Sequence, residues 1–279
     1  MSTALAVAED RGFDAPPIVR FASVRKIFAV NGGELEAIRA FDLDIHEGES
    51  VAIVGSSGCG KSTLLRLLVG LDRNFEGSIR IDDRPVRGIG SECGIVFQEH
   101  RLFPWLTVAD NIALGLASAA VDKAERHRQV ERLVRLVGLD GFQKAYPHQL
   151  SGGMAQRVAI ARGLVVDPRI LLLDEPFGAL DALTRQQMQE ELLAVRERAD
   201  ITMLLVTHDV EEAVFLADRV VVLAPRPGRI RRVFQVGLPY PRNRGGLEFH
   251  RLREAILHEL THAAPEPAAF PSGNVKPVA

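Results

Sequence analysis

The stretch GSSGCGKST, residues 55–63, decides the fold of this chain. It satisfies the spacing G-x-x-x-x-G-K-[ST], it follows the apolar run SVAIV, and it leads into KSTLLRLLVGL, whose leucines recur at helical spacing. A glycine-rich loop between a strand and a helix is the context that indicates phosphate binding rather than a plain turn. Its glycines let backbone amides point at phosphate oxygens, Lys61 adds a mobile positive charge, and Ser62 offers a hydroxyl to magnesium. The residues expected around the phosphates are Gly55, Ser56, Ser57, Gly58, Cys59, Gly60, Lys61, Ser62 and Thr63.

A second motif, ILLLDEP at 170–176, places a buried strand directly before two carboxylates. Ligands of α/β sheets bind at the carboxyl ends of the strands. Asp174 is expected beside magnesium, and Glu175 is placed to polarise a water for attack on a γ-phosphate. The alternative interpretation of these two carboxylates is a solvated acidic turn, which the presence of the phosphate loop disfavours. The two motifs together predict a nucleotide hydrolase.

A third motif, LSGGMAQRVAIARGL at 150–164, has the same anion-binding features as the phosphate loop. Ser151 is a good helix N-cap, and Gly152 and Gly153 expose backbone amides where the helix begins, which makes a second anion site. Two such loops separated by a helical insert are not expected to converge within a single chain. A neighbouring copy could supply the second loop to a nucleotide held by the first.

Bulk properties narrow the class of protein. The chain has 279 residues, is 47% hydrophobic and carries a net charge of −2, so it can bury a sizeable core but has no global field that favours nucleic acid or an anionic membrane. Cys59 and Cys93 make a poor disulfide framework, which indicates a reducing compartment. We expect no signal peptide at the N-terminus, and no run approaches the roughly 20 apolar residues that span a bilayer.

Periodicity predicts an α/β fold with a mixed sheet. Residues 18–53 suggest antiparallel strands, about 100–165 an inserted helical subdomain, and 170–209 the strand–helix–strand alternation of a parallel sheet. We place one main domain at 18–240 and a C-terminal helical extension at 241–262. Segments 1–17 and 263–279 are expected to be disordered. The arginines of RPGRIRR, 226–232, are interpreted as solvated edge-strand charges in preference to a contact with lipid headgroups or with the partner.

These motifs, in this order over residues 18–240, resemble the ATP-binding subunits of ABC transporters. The resemblance implies an ABC-type P-loop NTPase fold with an N-terminal antiparallel β subdomain and an inserted helical subdomain. It implies ATP and Mg²⁺ as cofactors, and two copies that sandwich two ATPs head to tail. Met154 departs from the family's commonest signature residue, glutamine. Backbone amides and Ser151 make most of that contact, so we expect it to survive.

The resemblance also implies roles for single residues. Phe28 stacks on adenine, although a core phenylalanine on an edge strand is the open alternative. Gln98 reaches magnesium, Asp181 lies in the loop that bridges the two subunits, and His208 contacts the γ-phosphate. The expected catalytic residues are Lys61, Glu175 and His208, and the expected magnesium ligands are Ser62, Gln98 and Asp174.

The stretches RLFPW, TVADNIALGL and PRPGRI resemble the group of importers for nitrate, aliphatic sulfonates or taurine. Sulfonate import is the first choice, with nitrate and taurine left open. The implied partners are a second copy, two transmembrane permease subunits and, indirectly, a periplasmic substrate-binding protein, at the cytoplasmic face of the inner membrane and without nucleic acid. Trp105 is either an anchor for the permease or a packing residue. The rival class is a soluble ABC-type ATPase that acts on nucleic acid or the ribosome.

Overall fold

The structure, a computed structural model, describes residues 16–30, 33–117, 119–199 and 201–262. The segments predicted to be disordered, 1–17 and 263–279, lie outside the described residues except for Pro16 and Pro17. Within the described ranges, no helix is long and apolar enough to cross a membrane.

Within the part of the chain that the structure describes, ten strands and seven α-helices build the fold. The strands are β1 Val19–Val30, β2 Gly33–Ile45, β3 Ser50–Val54, β4 Glu76–Ile81, β5 Arg84–Pro85, β6 Cys93–Val96, β7 Ile170–Asp174, β8 Thr202–Thr207, β9 Arg219–Leu223 and β10 Ile230–Gln235. The helices are α1 Lys61–Leu68, α2 Val108–Ala113, α3 Lys123–Leu136, α4 Gly152–Leu164, α5 Ala182–Ala199, α6 Val210–Leu216 and α7 Leu247–Thr261.

A six-stranded sheet in the order β10-β9-β3-β8-β7-β6 forms the centre of the molecule. Strand β3 runs parallel to both neighbours, with Val54 opposite Thr207 on one side and Val222 on the other. Only β10 is antiparallel, against β9. The predicted mixed α/β sheet is confirmed. Its parallel strands bring their carboxyl ends to one edge, which is where a ligand site is expected.

A second sheet, in the order β2-β1-β4-β5, is antiparallel throughout. It packs with α1 against one face of the central sheet, so that alternate residues of β3 enter two separate cores. Val51 and Ile53 face the core shared with the antiparallel sheet, whereas Ala52 and Val54 face the helices on the other side. All five residues of β3 are buried, as expected of a strand covered on both faces.

Helices dominate the chain between β6 and β7. Asp122 caps α3 by accepting a hydrogen bond from the Glu125 amide at 2.8 Å, and Thr107 caps α2 in the same way. Helix α4 lies directly on β6: a Cβ atom at Gly94 would come within 2.1 Å of the Gly163 carbonyl, so glycine is needed there. The limits of a helical subdomain at 100–165 stay a prediction.

Candidate functional site

Three neighbouring strands bring the sequence motifs to one edge of the central sheet. The phosphate loop follows β3, the carboxylate pair Asp174 and Glu175 ends β7, and His208 follows β8. Asp174 pairs with Val206 in the sheet register, one residue before the end of β8. Motifs more than a hundred residues apart in sequence therefore share one site.

The phosphate loop is a tight cradle around a buried lysine. Gly58 and Gly60 have φ angles of 74° and 102°, which glycine adopts without strain. Lys61 is 5% exposed, and its ammonium donates to the carbonyls of Gly55 at 2.8 Å and Ser56 at 3.1 Å. Helix α1 begins at this lysine, so its N-terminal dipole points at the loop. The loop thus presents amides, a cation and a helix N-terminus to an anion.

A hydroxyl and a carboxylate meet beside the loop. Ser62 donates its Oγ hydrogen to Asp174 Oδ1 at 2.8 Å. Burial raises the pKa of Asp174, while the hydrogen bond from Ser62 opposes that rise and the neighbouring Glu175 charge adds to it. Hard oxygen ligands of this kind, completed by nucleotide phosphates, are what Mg²⁺ prefers. The two residues therefore fit a magnesium ion.

Gln98, the third expected magnesium ligand, lies on the exposed segment after β6. Its Nε2 atom is 3.6 Å from the position that a Cβ atom on Gly178 would occupy, so it borders the loop that follows Glu175. Within the described residues it makes no hydrogen bond to Ser62 or Asp174.

Glu175 and His208 form a pair that the sequence motifs did not indicate. His208 Nδ1 and Glu175 Oε2 are 3.0 Å apart, and because a carboxylate only accepts, the contact requires the hydrogen to sit on Nδ1. Glu175 has a φ of 47°, rare for a residue with a side chain, and its amide donates to the Val206 carbonyl at 2.8 Å. Such backbone strain costs about 1–3 kcal/mol and concentrates at functional sites.

The LSGG motif forms the exposed start of α4. Ser151 is the N-cap, and its Oγ accepts a hydrogen bond from the Met154 amide at 3.3 Å. Gly152 is exposed, while Gly153 packs against α5, where a Cβ atom would lie 2.9 Å from Thr184 Cγ2. The motif therefore places an exposed serine and an exposed glycine at a helix N-terminus that packs against α5.

Asp181 and Phe28, two further residues expected at the site, do not lie at the edge formed by β3, β8 and β7. Asp181 is exposed and accepts a hydrogen bond from the Thr184 amide at 3.1 Å, and hydrogen bonds from Thr184 lower its pKa. Phe28 is half-buried on β1, with the Lys26 ammonium 4.7 Å from its ring centroid. Adenine stacking on Phe28 stays a prediction.

A protein-family model described as ABC transporter matches residues 38–178 of this chain. The chain belongs to the ABC transporter family. An uncharacterised ABC transporter ATP-binding protein of Methanocaldococcus jannaschii is 47% identical over 242 residues, which are 87% of this chain and 91% of that protein. An aliphatic sulfonates import ATP-binding protein of Bacillus subtilis strain 168 is 46% identical over 235 residues, 84% of this chain and 91% of its own length.

Solved ABC structures share the fold. A dimeric ATP-binding cassette in a post-hydrolysis state bound to ADP and Pi matches with a TM-score of 0.69 and 32% identity over 78% of this chain and 98% of its own. An ABC transporter component from Clostridium perfringens matches with a TM-score of 0.71 and 27% identity, over 80% of this chain and 90% of its own. The ABC cassette fold expected from the motifs is confirmed, and with it an ATP-binding subunit of the ATPase class.

Two residues that lie next to the site of this ABC cassette, Arg226 and Glu212, were not identified from the sequence. Arg226 Nε donates to the Gly58 carbonyl at 2.8 Å, so the first arginine of the RPGRIRR segment, although exposed, also supports the phosphate loop. The turn is fixed by Gly228, whose amide donates to the Ala37 carbonyl at 2.8 Å and whose missing side chain leaves room for Cys59. The available signal was that this turn follows β9, a direct neighbour of β3.

The second missed residue is Glu212, buried in α6 close to the His208 turn. It is 4% exposed, and its Oε2 accepts a hydrogen bond from Thr207 Oγ at 2.8 Å, while its Oε1 has no partner among the described residues. Burial raises the pKa of Glu212 to about 8. A neutral acid thus lies beneath the turn that carries His208.

Proposed function

We propose that this chain is the ATP-hydrolysing subunit of an ABC importer for aliphatic sulfonates. The observation that carries the proposal is the shared strand edge at which the Lys61 cradle, the Ser62–Asp174 contact and the Glu175–His208 pair come together. The curated sulfonate-import relative, which matches over most of both chains, supports the choice of importer.

Each residue at the edge has a distinct task in ATP hydrolysis. Lys61 leaves its two carbonyl contacts to bind phosphate oxygens, as a charge-assisted donor. Ser62, Asp174 and Gln98 would hold Mg²⁺, which would supply charge neutralisation to the phosphates. Glu175 polarises the attacking water, and His208 is oriented by Glu175 towards the γ-phosphate.

A second copy completes the site. Ser151, Gly152 and Gly153 of one chain would close on the γ-phosphate held by the phosphate loop of the other, because they form the N-terminus of α4, where Ser151 and Gly152 are exposed. The dimeric cassette of known structure supports this arrangement. Asp181 would bridge the two copies, and Phe28 would stack on adenine. Closure on binding and reopening after hydrolysis would drive the transport cycle.

The membrane partners are proposed to dock on the segment between β6 and α2. Phe103 and Trp105 are 42% and 69% exposed, with ring centroids 5.4 Å apart. An exposed aromatic pair is a typical anchor for a partner protein, which favours the permease role of Trp105 over packing. We place the chain at the cytoplasmic face of the inner membrane, bound to two permease subunits that receive cargo from a periplasmic binding protein.

Glu175→Gln tests the mechanism. We expect it to keep ATP binding, to lower kcat at least about a hundredfold, and to trap a dimer visible by size-exclusion chromatography, because the amide cannot polarise water. Glu190→Gln, an exposed glutamate on α5, is the matched control. Unchanged turnover in the Glu175 variant would remove this residue from catalysis.

Growth of a deletion strain tests the cargo. Failure on an aliphatic sulfonate as sole sulfur source, with normal growth on sulfate and rescue by the wild-type but not the Glu175→Gln gene, is the expected result. Failure only on taurine, or only on nitrate as nitrogen source, would transfer the same ATPase to the corresponding importer. Co-sedimentation with ribosomes or DNA instead of membranes would contradict the importer class.

A further inference from the structure

A slot between three helices lies apart from the nucleotide edge. It has a volume of about 270 Å³ and separates the end of α3 from the middle of α4 and α5. Its apolar lining includes Leu136, Val137, Ile160, Met188, Leu192 and Val195. A second cavity, of about 530 Å³, adjoins it and shares Arg135, Leu136 and Arg198. The slot is therefore an apolar recess with a wider, open continuation.

The rim of the slot is positively charged. Arg135, Arg157 and Arg198 line it, against one acid, Glu191. The Arg157 guanidinium already has partners within the protein, since it forms an ion pair with Glu191 and its Nη1 donates to the Gly138 carbonyl at 3.5 Å. Arg135 and Arg198 are exposed and have neither an ion pair nor a side-chain hydrogen bond within the part of the chain that the structure describes. Two guanidinium groups thus remain available above an apolar floor.

We propose that this slot binds a small organic anion with an apolar tail, its carboxylate or sulfonate headgroup held by Arg135 and Arg198. Planar guanidinium groups bind such headgroups through paired charge-assisted hydrogen bonds, while the recess removes the tail from water. The volume suits a tail of about six carbons. The site does not depend on the proposed transport function, because the isolated chain without nucleotide is sufficient to test it.

A ligand bound in the slot would connect α4 to α5. The slot is lined by Arg157 and Ile160 from α4, the helix that begins at the LSGG motif, and by Met188 and Leu192 from α5, the helix that follows Asp181. A ligand that contacts both helices holds them together and slows their local opening. Binding is therefore expected to protect these helices from hydrogen exchange.

Calorimetry on the full chain tests the site with hexane-1-sulfonate, hexanoate, hexan-1-ol and hexyltrimethylammonium as probes. We expect saturable binding of at least one of the two anions, with the tighter one identifying the headgroup. The Arg135→Gln/Arg198→Gln double variant should bind at least about tenfold more weakly. Arg84→Gln, an exposed arginine outside the slot, should bind as the wild type does.

Hydrogen exchange locates the ligand. Slower exchange in residues 157–164 and 188–198 on addition of the bound anion supports the site, whereas protection confined to the phosphate loop at 55–63 overturns it. The proposal is also overturned if neither anion saturates at about 10 mM, if the cation or the alcohol binds as tightly, or if the double variant keeps its affinity.

Discussion

Replacing Glu212 by glutamine is expected to stabilise the chain, and to do so increasingly as the pH rises. Burial raises the pKa of this carboxyl from 4.5 to about 8, with the charges of Asp209 and Glu175 adding to the rise and Arg185 and the Thr207 hydrogen bond opposing it. The folded state therefore holds a proton that the unfolded chain releases above its ordinary pKa. Stability is lost as the pH rises from 4.5 to about 8 and levels off beyond.

The magnitude follows from the size of the shift. One pKa unit corresponds to about 1.4 kcal/mol, so the loss reaches about 4 kcal/mol at about pH 7.5 and about 1 kcal/mol at about pH 5. Glutamine is neutral at both pH values, has nearly the same shape, and can still accept the hydrogen bond from Thr207. The stability difference between Glu212→Gln and the wild type should thus grow by about 3 kcal/mol over this range.

Guanidinium unfolding curves followed by circular dichroism at several pH values would measure this difference. Glu190→Gln on α5 is the control, because an exposed side chain stays in water in both states. A constant difference between Glu212→Gln and the wild type from about pH 5 to about pH 7.5 would refute the argument that burial keeps Glu212 neutral.

Three further substitutions test other contacts. Lys61→Ala should raise the Kd for ATP at least about tenfold, because the cradle loses its buried cation; a fluorescent-nucleotide titration that gives the wild-type Kd would contradict this. Gly228→Ala should lower the free energy of unfolding by about 2 kcal/mol, since its Cβ would meet the Cys59 carbonyl at 2.1 Å, whereas Gly88→Ala meets nothing within 4 Å; equal melting temperatures would be the opposing result. Ser151→Ala should cost about 1 kcal/mol through the lost N-cap, and Ser151→Asp should restore it in chemical denaturation.

Local patterns predicted much of the site because its residues follow strands or begin helices. The apolar runs before Gly55, Asp174 and His208 marked three strands, and parallel strands present their carboxyl ends together. Ser151 was recognisable as an N-cap from its residue type alone. Where a residue's chemical role depends on its place at the end of a strand or the start of a helix, the sequence was sufficient to predict that role.

Contacts made across the fold could not be predicted in this way. Whether β4 and β6 join the same sheet depends on tertiary pairing, and the structure places β4 beside β1 in the antiparallel sheet and β6 beside β7 in the central sheet. The contact of Arg226 with the phosphate loop and the burial of Glu212 likewise arise only when distant segments meet. The left-handed backbone conformation of Glu175 could not be predicted, because glutamate is not a residue type that indicates a positive φ.

The position of β3 also constrains how the protein is made. Ser50 to Val54 pair with Met203 to Thr207 of β8 and with β9, so the strand that carries the phosphate loop leaves the ribosome about 150 residues before either pairing partner. Throughout that interval a strand that is fully buried in the finished molecule has no sheet to join. Synthesis must run almost to the C-terminal strands before the nucleotide site can form, and a chain truncated before β8 would be a target for chaperones or proteases.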